Sequence, residues 1–276
     1  MEDPITKAQE LINNGNGEEA IKLLEGIESP EAYYLRYLAK KSLKTKNPEK
    51  ELIEGIERFP YNHYLHYELA KYLDELGDLK AALTEINKSL ELLPISVDYK
   101  ELKARILYEQ GNFEEALILI NDVLSLSPTD YDARLIKILS YYNQGLRMDA
   151  LAEVNRALNY FNKDSFLHFL KGKIYLESNF YKLALSEFKI AITLDKRPEY
   201  IYYASLASFL ANEYKEALSY IDEGIKLTNN AEYKALKARI LWAMGSKEES
   251  RKLASEVVMV DKKLASQVSD ILNMNK

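Results

Sequence analysis

The sequence predicts an all-α protein built from tandem pairs of helices, and three observations lead to this prediction. Alanines recur in steps of 34 residues, at Ala82, Ala116, Ala150 and Ala184. Glycines recur with the same step, at Gly77, Gly111 and Gly145. No stretch alternates between apolar and polar residues for long enough to indicate a strand. A fixed period of this length is typical of stacked supersecondary units rather than of one globular core.

Each repeat is expected to form two amphipathic helices, as the third repeat illustrates. Leucines recur at helical spacing from Leu65 to Leu76, and Gly77 then ends the run. Glycine just past a helix end adopts the left-handed conformation that lets the last carbonyls be capped. A second helical run begins near Ala82 and stops at Pro94. The pattern therefore predicts a helix, a glycine turn, a helix and a proline stop.

Repeated in order, this pattern predicts eight repeats within a single domain spanning residues 1–276. Their approximate bounds are 1–30, 31–60, 61–94, 95–128, 129–163, 164–197, 198–230 and 231–261. The first two repeats are weaker matches, and the first-helix register of the seventh is ambiguous. Apolar residues on one face of 262–274 predict a C-terminal capping helix, which a stacked array needs at its end.

The spacing of small and large positions is specific enough to identify a family resemblance. The third repeat carries Ala70, Leu73, Gly77, Ala82, Ile86 and Pro94. The fourth carries Ala104, Leu107, Gly111, Ala116, Ile120 and Pro128. This pattern resembles the tetratricopeptide repeat, and the resemblance extends over essentially the whole chain. It implies a right-handed α-solenoid whose first helices line a concave groove that holds an extended peptide or a partner's helix.

Two sets of first-helix residues are expected to face this groove. A basic column consists of Lys40, Lys71, Arg105, Lys173 and Arg239. A set of aromatic positions nearby consists of Tyr67, Tyr108, Tyr142, Phe169 and Trp242. Cations interleaved with aromatic rings favour an acidic, extended segment of a partner protein, through charge-assisted hydrogen bonds and apolar contact. In the alternative interpretation, neighbouring carboxylates neutralise the cations and the aromatic rings pack between repeats.

Composition limits the possible functions. The chain has no cysteine, which excludes disulfides and thiolate metal sites. It shows no secretory signal and no apolar run of the roughly 18 residues that a membrane span needs, so we expect a cytoplasmic protein without a membrane partner. His63 and His66 lie three residues apart without a third metal ligand nearby, which favours a surface pair. With no phosphate-binding loop or acid–base couple in view, the sequence predicts no enzyme activity and no cofactor.

The resulting hypothesis is a non-catalytic scaffold or adaptor that binds a protein or peptide partner. Two alternatives remain open. Helical-repeat proteins also bind RNA, although a formal net charge of −6 makes a nucleic-acid partner less expected. A self-associating subunit of a larger complex, and hence a homo-oligomer, is the second alternative.

Overall fold

The computed structural model describes residues 3–273, and all regular structure in that range is helical. The α-helices are α1 Pro4–Asn13, α2 Gly17–Leu23, α3 Pro30–Ser42, α4 Lys50–Arg58, α5 His63–Glu75, α6 Leu79–Leu92, α7 Val97–Glu109, α8 Phe113–Leu126, α9 Tyr131–Asn143, α10 Arg147–Tyr160, α11 Ser165–Glu177, α12 Tyr181–Leu194, α13 Pro198–Leu210, α14 Tyr214–Leu227, α15 Ala231–Ala243, α16 Lys247–Val260 and α17 Ala265–Asn273. The all-α prediction is confirmed. Odd-numbered helices up to α15 are the first helices of pairs, and even-numbered helices are the second.

The predicted capping segment begins with a short 3-10 helix, Lys262–Leu264, and continues as α17. Val268 and Ile271 are buried on α17 and pack in one cluster with Ala254 and Val257 of α16. Residue 274, the last of the predicted segment, lies outside the described residues.

Left-handed turns separate the two helices of a pair. Gly77 follows α5 with a φ of 79°, a conformation that only glycine adopts without a steric cost. The corresponding position after α11 is Asn179, with a φ of 63°. Asparagine is among the few other residues that tolerate this region, so the turn survives the loss of its glycine.

The chain divides into two compact units, Met1–Ser140 and Tyr141–Lys276, with the boundary inside α9. In the first unit an alanine near the start of α2, α6 and α8 is fully buried (Ala20, Ala82 and Ala116), and Ala82 packs in one cluster with Ile86 and Ile106. In the second unit Phe188, 102 residues after Ile86, packs against Gly172, where an added Cβ would lie 2.5 Å from the ring. Small residues therefore stand where side chains of a neighbouring helix pack most closely.

His66 corrects the expectation of a surface histidine pair, because its side chain is buried. Its Nδ1 lies 2.6 Å from Oε2 of Glu85, and its Nε2 lies 3.0 Å from the carbonyl of Pro60. His63 lies 2.7 Å, through Nδ1, from the hydroxyl of Tyr99. His63 and His66 therefore have separate hydrogen-bond partners.

The second unit repeats these hydrogen bonds 102 residues later, on a histidine that is partly exposed. His168 Nδ1 lies 2.7 Å from Glu187, and Nε2 lies 3.3 Å from the carbonyl of Asn162. Arg36 makes similar hydrogen bonds in the second repeat: it donates to Glu51 at 2.7 Å and to two carbonyls of the preceding turn. In these three repeats a basic side chain of the first helix therefore joins the preceding turn to the second helix.

Candidate interaction face

In the first unit the basic column is neutralised, beginning with Lys40. Its Nζ lies 2.5 Å from Oε1 of Glu51, which also accepts a hydrogen bond from Arg36. Burial alone would raise the pKa of Glu51, but the hydrogen bonds from Arg36 and Lys40 outweigh it and lower the pKa. Lys40 is half-buried and forms an ion pair with a buried carboxylate.

The next two members of the column are paired in the same way. Lys71 Nζ lies 3.3 Å from both carboxylate oxygens of Glu68, three residues earlier on α5. Arg105 donates to Oδ2 of Asp74 at 2.6 and 3.1 Å, which joins α7 to α5. Both carboxylates are almost fully buried. For these residues the structure favours neutralised cations over cations open to an anion.

In the second unit the cations of the basic column, Lys173 and Arg239, lie beside aromatic rings instead of carboxylates. Lys173 Nζ lies 5.5 Å from the ring centre of Tyr142, 5.8 Å from that of Phe169 and 5.5 Å from that of Tyr203. Arg239 stands over the ring of Phe209 at 5.3 Å. Over the described ranges of this unit, neither cation forms an ion pair with a carboxylate. Aromatic faces replace the acids that neutralise the column in the first unit.

The sequence explains this difference. Arg105 pairs with Asp74, which lies 31 residues earlier; the residue 31 before Lys173 is Tyr142. Lys71 pairs with Glu68 three residues earlier, whereas the residue three before Lys173 is Leu170. Both carboxylate positions are thus occupied by uncharged side chains.

The predicted aromatic positions are used mainly for packing. Tyr67 stacks on Tyr99 with ring centres 4.5 Å apart, and Tyr108 lies 5.7 Å from Phe113. Burial raises the pKa of Tyr67 to about 12, with Glu68 next in effect. These tyrosines remain partly exposed at their edges.

Phe169 departs from its predicted place on the surface. It is 3% exposed and stacks on Tyr200 of the next repeat at 4.6 Å. The Tyr142 hydroxyl donates to Glu177. Trp242 is partly exposed, with the Nζ of Lys247 5.3 Å from its ring centre. Of the second-unit aromatic positions, Tyr142 and Trp242 therefore reach the surface and Phe169 does not.

A row of tyrosines on the first helices of the first unit was not predicted as a set. Ring centres are 5.0 Å apart for Tyr34 and Tyr64, and 6.2 Å apart for Tyr64 and Tyr67, which leads to the Tyr67–Tyr99 stack. The sequence signal is the recurrence of tyrosine one turn apart on α5 and near the start of α7. We call Tyr34, Tyr64, Tyr67 and Tyr99 the tyrosine row.

Beside this row lies an acidic group formed by Asp98, Glu101, Asp130 and Asp132. Burial raises the pKa of Glu101 to about 7, and Asp130, Asp132 and Asp98 add to the rise. Arg105 opposes it, but that guanidinium is hydrogen-bonded to Asp74. The first-helix face of the first unit therefore carries more carboxylate charge than its cations offset.

Between residues 3 and 273, no three histidine or acidic side chains are grouped so that they could ligate a metal ion. Over the same range, no helix combines the length and the apolar character that crossing a membrane requires.

Comparison with known proteins gives a family match and several structural likenesses. A family model described as "Tetratricopeptide repeat" matches residues 67–131 and 101–165. A sequence comparison with curated proteins gives no match.

Three solved structures illustrate the likeness in fold. A tetratricopeptide repeat protein from Parabacteroides merdae ATCC 43184 has a TM-score of 0.61 at 15% identity, covering 86% of this chain and 97% of that one. A chain of the APC/C hetero-tetramer Cut9–Hcn1 has a TM-score of 0.62 at 15% identity, covering 98% of this chain and 55% of that one. YrrB, described as a TPR protein with an unusual peptide-binding site, has a TM-score of 0.54 at 18% identity, covering 71% of this chain and 97% of that one. At such identities these likenesses show the fold alone.

Proposed function

We propose that this tetratricopeptide-repeat protein is a non-catalytic cytoplasmic scaffold, which binds an extended segment of a partner protein on the exposed face of its first helices. In the second unit that segment presents acidic side chains, which bind Lys173 and Arg239, the two members of the basic column without a carboxylate partner. YrrB has a peptide-binding site, and the likeness of fold makes a peptide the natural class of ligand to test here.

The observation that carries the proposal is the environment of Lys173. Its ammonium lies within 5.5–5.8 Å of three ring centres and forms no ion pair in the described part of the second unit. A cation over aromatic rings keeps its charge, and it can still donate charge-assisted hydrogen bonds to an incoming carboxylate. Arg239, which is exposed over Phe209, offers a second such group on α15.

Charge reversal of these two residues tests the proposal. Wild-type protein and Lys173→Glu/Arg239→Glu would be used to capture partners from native lysate, with circular dichroism to confirm that the variant is folded. We expect the partner to be lost from the variant, because two new carboxylates would repel an acidic segment at contact distance.

A matched control is Lys226→Glu/Lys252→Glu, two exposed lysines on second helices of the same unit. The control changes net charge by the same amount and should retain the partner. If both variants lose the partner, the effect is one of net charge. If neither loses it, the face proposed for the second unit is the wrong one. Reversal of Lys40, Lys71 and Arg105 is less suitable, because it would place a second carboxylate beside Glu51, Glu68 or Asp74.

A further inference from the structure

We propose that the first-helix face of the first unit binds a basic segment, taking lysine or arginine side chains of a protein partner between the acidic group and the tyrosine row. This inference rests on the proposed function, since it assigns a class of partner to another part of the first-helix surface. Four observations support it, each from residues of the first unit alone.

The first observation is the charge of the face. Asp98 and Asp132 are exposed, and Glu101 is partly exposed between them. Asp98, Asp130 and Asp132 all act on Glu101. The nearby cations Lys71 and Arg105 are already paired with Glu68 and Asp74. Uncompensated negative charge on one face attracts a cationic segment and raises its association rate.

The second observation is a buried acceptor without a donor. The Asp74 side chain is 6% exposed, and its Oδ2 accepts from Arg105 on the neighbouring first helix. Its Oδ1 is buried and has no hydrogen-bond partner within the described residues. A buried carboxylate oxygen without a donor costs free energy, so a site that supplies a donor is favoured. Because this oxygen is buried, a guanidinium or ammonium group of a partner reaches it only if the side chains between α5 and α7 move.

The third observation is the tyrosine row. Tyr64 is exposed enough to be reached and contacts Tyr34 on one side and Tyr67 on the other. Tyrosine faces attract lysine and arginine cations, and their hydroxyls provide hydrogen-bond acceptors. The row already holds one cation in this way, because Lys71 Nζ lies 5.2 Å from the ring centre of Tyr67. Rigid rings beside acids are suited to side chains that have an apolar stem and a charged head.

The fourth observation is the contrast with nucleic acid. RNA brings one negative charge per nucleotide and is bound by faces whose cations are open. Here Lys40, Lys71 and Arg105 are all paired with carboxylates. The same tyrosines beside open lysines would favour stacking with bases; beside Asp98 and Glu101 they favour a basic peptide.

The test uses the full chain and two labelled peptides of about ten residues, one alternating glycine with lysine and the other glycine with glutamate. Fluorescence anisotropy measures each Kd at low and at physiological salt. We expect the lysine peptide to bind and its Kd to rise with salt; the glutamate peptide, which the second unit is proposed to bind, should keep its Kd when the acids of the first unit are changed. At pH 8, where the Glu101 carboxyl is mostly ionised, Asp98→Asn/Glu101→Gln should weaken binding of the lysine peptide by about tenfold, because it removes nearly two negative charges with little change in shape.

The control is Glu114→Gln/Glu115→Gln on α8, which removes two exposed charges from a second helix of the same unit. Because a lysine peptide binds weakly to any acidic protein, only a difference between the two variants supports the inference. Equal effects of the two variants, or no effect of either, would overturn it. If the inference fails while Lys173→Glu/Arg239→Glu still loses its partner, the proposed function stands without it. If that charge reversal is also silent, both are wrong.

Discussion

Lys71, Arg105 and Lys173 occupy the same position of their repeats, and their neighbours determine whether each cation is paired with a carboxylate. All three lie directly after the small residue of a first helix, and a sequence pattern treats them alike. In the folded chain Lys71 and Arg105 are neutralised by buried acids, whereas Lys173 rests among rings. Surface ion pairs contribute ~0–1 kcal/mol each to stability, but they decide whether a cation is open to a ligand.

Glu101 gives a pH-dependent prediction at this scale. Its pKa of about 7 in the folded chain lies above the ~4.3 of an unfolded chain, so the folded state binds its proton more tightly. The stability that this carboxyl contributes is therefore complete below the unfolded pKa and is lost as pH rises through about 7. Glu101→Gln should become more stable relative to the wild type between pH 5 and pH 8, by about 1 kcal/mol after discounting for partial exposure.

Urea unfolding of the two proteins at both pH values measures this change. Glu114→Gln, which removes an exposed acid near the start of α8, serves as the control and should show the same difference at either pH. A Glu101→Gln difference that also stays constant between pH 5 and pH 8 would mean that Glu101 is neither buried nor crowded by Asp98, Asp130 and Asp132 in solution.

At the scale of the helix, close packing against Gly172 makes a second prediction. Alanine favours a helix over glycine by about 1 kcal/mol, but its Cβ would lie 2.5 Å from Phe188 Cε1. Overpacking typically costs about 1–3 kcal/mol, so Gly172→Ala should lower the free energy of unfolding by about 1 kcal/mol. Chemical denaturation followed by circular dichroism measures the loss.

A smaller side chain at position 188 tests whether contact with the Phe188 ring causes the loss of stability in Gly172→Ala. Phe188→Leu leaves room for the new methyl group, and the two substitutions together should cost less than the sum of their separate costs. Strict additivity would show that the alanine is destabilising for a reason other than its contact with the ring.

The sequence predicts the helices well because their signals are local. Leucine spacing, a glycine or asparagine turn and a closing proline lie within one repeat, and each has a direct backbone meaning. The state of the basic column is not local. The Arg105–Asp74 pair joins residues 31 positions apart on two first helices, and Phe169 is buried because Tyr200 of the next repeat stacks on it. Both depend on how neighbouring helices approach.

The seventh repeat shows the same limit. Ala217 follows Ala184 by 33 residues instead of 34, so its first-helix register is ambiguous from the pattern alone. The structure begins α13 at Pro198, which supplies the fixed φ that suits the first turn of a helix. Buried Ser205 then takes the small position and donates to the carbonyl of Ala217 at 2.8 Å.

For the molecule as a whole, net charge says little about binding. The formal charge of −6 is consistent with an acidic protein that avoids polyanions, yet it hides open cations at Lys173 and Arg239 and an excess of carboxylate beside Glu101. We therefore expect partner selection to be local, with each unit recognising side chains that complement its own first helices.

A photo-crosslinking amino acid placed on each face tests the central claim, that first helices bind the partner. Benzoylphenylalanine would replace Tyr64 on α5 in one protein and Ile118 on α8 in another, followed by irradiation in native lysate. Tyr64 is 37% exposed and Ile118 is 66% exposed, so chance contact favours the second helix. We expect a discrete crosslinked partner from position 64 and none from position 118. A partner captured from position 118 alone would contradict it.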